Sequence, residues 1–363
     1  MTEKERFLAT LGGGETDRIP VFDLEPADST LDIWRDQGFP RETSVAEYFR
    51  LETHETVGLV LRSAPFYRGA ADLLESPDAF SKRYDPDDPD RYAPDFESRC
   101  ERLNREGRVL YVDASGGGLL QMLGVGDWDS LVAACDAMAN RPALVESLME
   151  RTTDFHCLCL DRVLSKVAVD YASMYEPIAS NAGPLISPEM FDRYAMPGYR
   201  QVIDLLDRHG VELRIFCTTG GDLSPLLPSL LDAGINGLWI SNIMSSRMEY
   251  SALRREYGSD VALIGGIDCT ALTRGEDAVR RAVENTVPPL LAQGRYLPCL
   301  DDRPRDNTPF PMYRIYRELL ADLRETTLLG HRCRPPGRIS GLEAVDEDRW
   351  KVEDCDVVIR DDP

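Results

Sequence analysis

Three side chains far apart in the chain, Glu176, Cys217 and Cys299, are of the types that together hold a catalytic zinc ion. Zinc takes sulfur and oxygen donors tetrahedrally, and three protein ligands leave a fourth position where a substrate thiol is deprotonated for attack. Such a set has no short motif, because its ligands come from different strands. A plainer reading stands beside it: Cys217 and Cys299 as small buried hydrophobes, and Glu176 as a carboxylate paired with an arginine such as Arg62. In a metal-free site Glu176 would be a general acid or base. Asp268 reads as a second catalytic or orienting group, Asn242, Asp301 and Asp302 as substrate-binding polar groups, and Arg62 as the cation for an anionic substrate group.

These residues matter because of where they fall. Runs rich in β-branched and aromatic residues, bounded by breakers, occur at Arg18–Asp23, Val57–Arg62, Arg108–Asp113, Val169–Tyr175, Glu212–Cys217, Asn236–Ser241, Val261–Ile267 and Arg295–Leu300. Helical stretches alternate with them. Ser187-Pro188 reads as an N-cap followed by Pro at the first helical position, with the helix ending before Gly210, and Ser224-Pro225 opens a shorter one ending before Gly234. Eight strands alternating with helices predict an α/β fold, a single distorted (β/α)8 TIM barrel over residues 1–330. Every candidate above leaves the C-terminal end of an expected strand, where such barrels carry their active sites. None of the four histidines (His54, His156, His209, His331) does, so histidine base catalysis at the mouth is not expected.

Other features read as structural. His156-Cys157-Leu158-Cys159 looks like a ligand cluster, but in a helix its thiols face different directions, which favours core packing. Gly12-Gly13-Gly14 ends a helix at the far end of the barrel. Gly116-Gly117-Gly118 is either a turn or a place where an anion approaches the backbone. Tyr84–Tyr92, rich in Pro and Asp, must be a surface loop. A closing helix over Pro311–Leu328 is followed by an acidic C-terminal extension, residues 331–363, with one appended strand at Trp350–Ile359.

Composition narrows the function classes. With 63 acidic and 41 basic residues the net charge is −22, which would repel a phosphate backbone and argues against nucleic acid or a basic membrane anchor as partner. No apolar run approaches the ~18 residues of a membrane span. Nine cysteines without a repeated spacing, behind an N-terminus unlike a signal peptide, predict reduced thiols in a cytoplasmic protein.

Several segments carry a family resemblance: Asp17-Arg18-Ile19-Pro20-Val21, Glu176 followed by Gly183-Pro184-Leu185-Ile186-Ser187-Pro188-Glu189-Met190-Phe191, His209-Gly210-Val211, Gly265-Gly266-Ile267-Asp268, and Tyr296-Leu297-Pro298-Cys299-Leu300-Asp301-Asp302. In this order and spacing the chain resembles the uroporphyrinogen decarboxylase superfamily from about residue 3 to residue 328. The resemblance implies the same distorted barrel. True decarboxylases of this family carry Arg-Gln-Ala-Gly-Arg after the first strand to bind porphyrinogen carboxylates. Here Asp23-Leu24-Glu25-Pro26-Ala27-Asp28 stands instead, acidic where cations are needed. The other branch comprises corrinoid- or cobalamin-dependent methyltransferases. Its thiol-activating members bind zinc through a His-x-Cys pair after the fifth strand and a Cys near the eighth. This chain keeps Cys217, has Ile215 in place of the His, and has Cys299 close to the last position, with Glu176, Asp301 or Asp302 as the remaining ligand.

The expected function is a methyltransferase moving a methyl group between a small substrate and a corrinoid carrier or thiol, with zinc assistance. The expected cofactors are zinc and cobalamin, the partners a corrinoid protein and a second copy of the chain in a homodimer. Two alternatives stand beside it: a metal-free decarboxylase or lyase acting on a carboxylated small molecule or tetrapyrrole, and a non-catalytic corrinoid- or tetrapyrrole-binding barrel.

Overall fold

The structure, a computed structural model, describes residues 1–61, 84–115, 118–123, 125, 128–180, 182–218, 221–241 and 248–332. Nine strands lie in this part: β1 (His54–Thr56), β2 (Val109–Asp113), β3 (Tyr171–Tyr175), β4 (Ala179–Ser180), β5 (Gly183–Pro184), β6 (Arg214–Thr218), β7 (Gly237–Ile240), β8 (Ala262–Ile267) and β9 (Tyr296–Leu300). Seven of them form one parallel sheet in the order β1-β2-β3-β6-β7-β8-β9, and β4 and β5 make a small antiparallel pair beyond the end of β3.

The helices α1 (Glu3–Gly12), α2 (Asp28–Asp36) and α3 (Val45–Phe49) precede the sheet. Then come α4 (Phe96–Arg105), α5 (Leu119–Met122), α6 (Trp128–Asn140), α7 (Pro142–Leu164), α8 (Pro188–Tyr194) and α9 (Met196–Arg208). The last are α10 (Leu227–Asp232), α11 (Tyr250–Tyr257), α12 (Glu276–Gln293) and α13 (Phe310–Arg332). None of the helices searched is long and apolar enough to cross a membrane.

Alternation along the strands divides the core in two, as expected of a parallel sheet buried on both faces. Val109, Tyr171, Ile215, Ala262, Ile264, Leu297 and Cys299 join an inner cluster. Their neighbours Leu110, Ala172, Phe216, Leu263 and Leu300 join a larger cluster beneath the helices. The sheet is therefore curled around its inner residues. Phe7 and Leu11 of α1 also belong to the inner cluster, so α1 packs against the inner core, and Gly13 ends it in a left-handed turn at φ 79°.

The expected first strand, Arg18–Asp23, is not a strand here. It runs extended between the two ends of the sheet and joins them by two bonds. The Glu52 N–H donates to the Val21 carbonyl at 2.6 Å, and the Leu300 N–H donates to Asp23 Oδ1 at 2.9 Å. A side chain thus takes the place of a ladder bond at this seam. The expected second strand, Val57–Arg62, is displaced: ladder pairing occupies His54–Thr56, and Gly58 at φ 78° turns the chain away inside the expected run. The Val57 N–H still donates to the Tyr111 carbonyl at 3.1 Å, but beyond it Leu59 and Val60 pair with Tyr92 and Arg91 instead of the sheet, and Val57, Leu59 and Leu61 are buried in the core.

The helix read from Ser187-Pro188 is present in two pieces, α8 and α9, broken at Ala195, with the Ser187 hydroxyl accepting from the Met190 N–H at 3.2 Å. His156 and Cys159 are buried in α7 while Leu158 is exposed, so that segment is packing, as its helical spacing predicts. The 331–363 extension, beyond the end of α13 at Arg332, lies outside the described residues, as does the strand expected at Trp350–Ile359.

Candidate active site

The inner face of the curled sheet encloses a cavity of about 420 Å³, within the range of small-molecule sites. Tyr111 from β2, Tyr171 and Ser173 from β3, Cys217 from β6 and Trp239 from β7 line it, together with His54 from β1 and Phe22 and Glu25 from the seam segment. Strand alternation places them: each shares the inward parity of its strand. Tyr111 and Tyr171 stack with ring centroids 5.1 Å apart, and Phe22 stacks on His54 at 4.2 Å and meets Trp239 edge-on at 5.6 Å. Gly265 of β8 makes room for the indole, because a Cβ there would lie 3.3 Å from Trp239 Cδ1.

The histidine, tyrosine and cysteine groups of this wall are held neutral. Burial pushes His54 down to about 3, and its Nδ1 is 3.1 Å from the Tyr171 hydroxyl. Burial raises Tyr171 well above its ordinary value, with Tyr111 and Cys217 adding to the rise. Burial likewise pushes the Cys217 thiol up to about 12, and its sulfur lies 3.6 Å from the Ser173 hydroxyl. Among the described residues the lining includes no Lys or Arg. Asp113 follows Tyr111 on the same face of β2 and acts electrostatically on both Tyr111 and Cys217.

The expected site residues are distributed differently. Glu176 is fully buried, and it faces the helix layer: its Oε2 accepts from the Leu119 N–H at 2.7 Å and from the Tyr199 hydroxyl at 3.2 Å. Its backbone N–H nevertheless pairs with the Cys217 carbonyl, so the carboxylate and the thiol leave adjacent strand ends toward opposite faces of the sheet. Cys299 is on the inner face, 1% exposed, and its thiol is raised well above the ordinary value by burial and then by Asp23. Arg62 and Asn242 lie outside the described residues.

Asp268 opens a turn over Cys269–Arg274 and accepts from the Thr270 N–H and hydroxyl, with Arg274 at 2.6 Å. It lines a separate cavity of about 450 Å³ with Arg274, Arg281 and Asn285, alongside α11 and α12. Asp301 is fully buried and accepts from the Cys269 N–H at 2.8 Å, and Asp302 is paired with Arg305 at 2.5 Å.

The donor set Glu176, Cys217 and Cys299 does not fit a single zinc ion. Its carboxylate is engaged on the far side of the sheet. Among the described residues, the three metal-ligating atoms that do come within 4.8 Å of one another belong to Asp268, Cys269 and Asp301. There the Cys269 thiol is raised by burial and by Asp301, and Asp268 is neutralised by Arg274.

Asp23 does not open onto the mouth as its place after the expected first strand implies. Its carboxylate is fully enclosed, 2.6 Å from Arg317 and 3.2 Å from both the Tyr313 and Tyr316 hydroxyls. It joins α13 to β9 and adds no open negative charge to the mouth. Glu25, which is exposed, does.

Sequence reasoning by strand ends missed His54, Tyr111, Tyr171 and Trp239. They sit within strands, and the signal that finds them is parity. Polar-tipped aromatics on the inward positions of adjacent parallel strands have no reason to be there unless a cavity is.

Residues 122–297 match the family model described as uroporphyrinogen decarboxylase (URO-D). That segment supplies Tyr171, Ser173, Cys217 and Trp239 to the cavity, and Glu176 and Asp268 beside it. No curated protein matches the chain. A solved structure from Listeria monocytogenes, described as a "Putative Vitamin-B12 Independent Methionine Synthase", is 12% identical over 66% of this chain and 70% of its own, with a TM-score of 0.33. A likeness that loose carries neither fold nor activity across.

Proposed function

We propose that this chain, whose residues 122–297 match the family model described as uroporphyrinogen decarboxylase (URO-D), is a methyltransferase that binds a small substrate in the inner cavity and exchanges a methyl group with a corrinoid carrier or a thiol. The observation that supports this over decarboxylation of a porphyrinogen is the cavity wall. It is largely aromatic, its acids Asp23, Glu52 and Glu55 are paired with arginines while Glu25 is open, and among the described residues it bears no Lys or Arg to receive carboxylates. At about 420 Å³ the space suits a small molecule, and a corrin macrocycle exceeds it. A corrinoid is therefore read as a co-substrate met at the mouth.

Methyl transfer is an in-line displacement, so a protein's contribution is to hold donor and acceptor aligned and to keep water away. Tyr111, Tyr171 and Trp239 supply rigid walls for that. The Tyr171 hydroxyl, fixed by His54, and the Ser173 and Cys217 pair are neutral hydrogen-bonding groups that orient a polar atom of the substrate. No step is assigned to zinc, because its expected donors do not converge.

The test uses the full chain with methylcobalamin and a panel of small thiols, and with reduced cobalamin and small methylated compounds. Methyl transfer in either direction, reduced at least tenfold by Trp239→Leu, supports the reading. Carbon dioxide release from small carboxylates with no methyl movement overturns it.

A further inference from the structure

Two features of the inner cavity bear on the charge of what it holds. The first is its aromatic wall. Tyr111 and Trp239 point to the inner face of the sheet yet are only partly buried, so their remaining surface is turned to the cavity, next to Phe22 and Tyr171. The negative faces of such rings attract a cation, most strongly where water is excluded. The second is an imbalance of charge among the described residues. Glu52, Glu55 and Asp23 line the cavity but are paired with Arg6 and Arg18, with Arg99, and with Arg317 respectively. Glu25, which lines the cavity, has no basic partner among the described residues, and neither has Asp113. Asp113 is not itself a lining residue, but it follows Tyr111 on the inward face of β2, accepts from the Ser115 N–H at 2.9 Å and acts electrostatically on Tyr111 and Cys217. His54, the one titratable base in the wall, is enclosed and uncharged near neutral pH.

We infer that the inner cavity takes a small methylated ammonium cation, held against the aromatic wall to which Tyr111 and Trp239 belong, with Asp113 as counter-charge. An anion meets ring faces and carboxylates there, with neutral hydroxyl and thiol groups but no described lysine or arginine to receive its charge. A quaternary or tertiary methylated nitrogen is weakly hydrated and spreads its charge over methyl groups, which suits a wall of this kind. The inference rests on the reading of this cavity as the substrate site and adds the class of substrate.

Calorimetric titration of the full chain with choline, and with 3,3-dimethylbutan-1-ol as its uncharged isostere, separates charge recognition from shape. Choline is expected to bind at least tenfold more tightly than the isostere. Trp239→Leu should weaken choline at least tenfold, and Asp113→Asn should weaken choline while leaving the isostere unchanged. Tyr111→Phe, which keeps the ring, should bind choline as the parent does, and thermal melting shows that each variant is folded. Equal or tighter binding of the isostere, binding of acetate in preference to choline, or no binding of either by folded protein overturns the inference. Methyl transfer from uncharged donors alone would overturn it while leaving the methyltransferase reading in place. Choline binding without any methyl transfer would do the reverse.

Discussion

A Cβ atom on Gly118 would lie 1.8 Å from Oε2 of Glu176, so the buried carboxylate occupies the space that any other residue at position 118 would need. The chain after β2 closes directly over this carboxylate, with the Leu119 N–H donating to it. Gly118→Ala must displace one or the other, and overpacking of this kind costs about 1–3 kcal/mol. The two positions are coupled. Gly118→Ala combined with Glu176→Ala is expected to be less destabilised than the sum of the single variants in denaturant titrations, and strict additivity would show that the contact is not made.

Asp23 and Arg317 close the seam between the sheet ends, and both are buried. Removing one partner strands a buried charge, which costs about 3–5 kcal/mol. Asp23→Ala should therefore lower the unfolding midpoint more than the double replacement of Asp23 and Arg317 by Leu. The same midpoint for both would place the stabilisation elsewhere.

His54 and His156 are both pushed down to about 3, by burial in each case, with Arg91 contributing at His156. A base whose folded value is depressed binds its proton more readily in the unfolded chain. The stability this gives is full above the unfolded value near 6.5 and is lost as pH falls toward 3. Each such group contributes a slope of about 1.4 kcal/mol per pH unit within that window. Denaturant midpoints measured between pH 7 and pH 4.5 should fall, and less steeply once His156 is replaced by Leu. An unchanged slope in that variant would contradict the assignment.

The Cys217 thiol, pushed up to about 12 by burial, is about one part in ten thousand thiolate at pH 8. Cys135 and Cys217 are both partly accessible, and the raised Cys217 thiol means that native protein treated with iodoacetamide at that pH should be modified at Cys135 long before Cys217. Peptide mass mapping reads the order. Rapid labelling of Cys217 would mean a thiolate-stabilising group that this arrangement does not contain. By the same account, Glu176→Gln should leave the zinc content of protein purified without chelator unchanged.

Much of this architecture was legible in the sequence for physical reasons. The runs at 108–113, 169–175, 212–217, 236–241, 261–267 and 295–300 are strands because parallel strands buried on both faces must be apolar throughout. The first two strand expectations failed where that logic does not apply. Arg18–Asp23 makes its seam contact through a carboxylate, and the pairing residues His54-Glu55-Thr56 look polar because one faces a cavity and another an arginine. The site was legible only in part. Strand ends indicate depth along the sheet, whereas the face on which a side chain leaves depends on register. Glu176 and Cys217 sit at neighbouring strand ends and still point apart.

The central claim is that the inner cavity, rather than the outer one at Asp268, holds the substrate of a methyl-transfer reaction. Methyl exchange between cobalamin and small methylated compounds or thiols, measured for the parent chain, Trp239→Leu in the inner wall and Arg281→Ala in the outer cavity, tests it most directly. The account predicts transfer by the parent, at least a tenfold loss of kcat/KM in Trp239→Leu, and no change in Arg281→Ala. Transfer that survives Trp239→Leu and is lost in Arg281→Ala would contradict it.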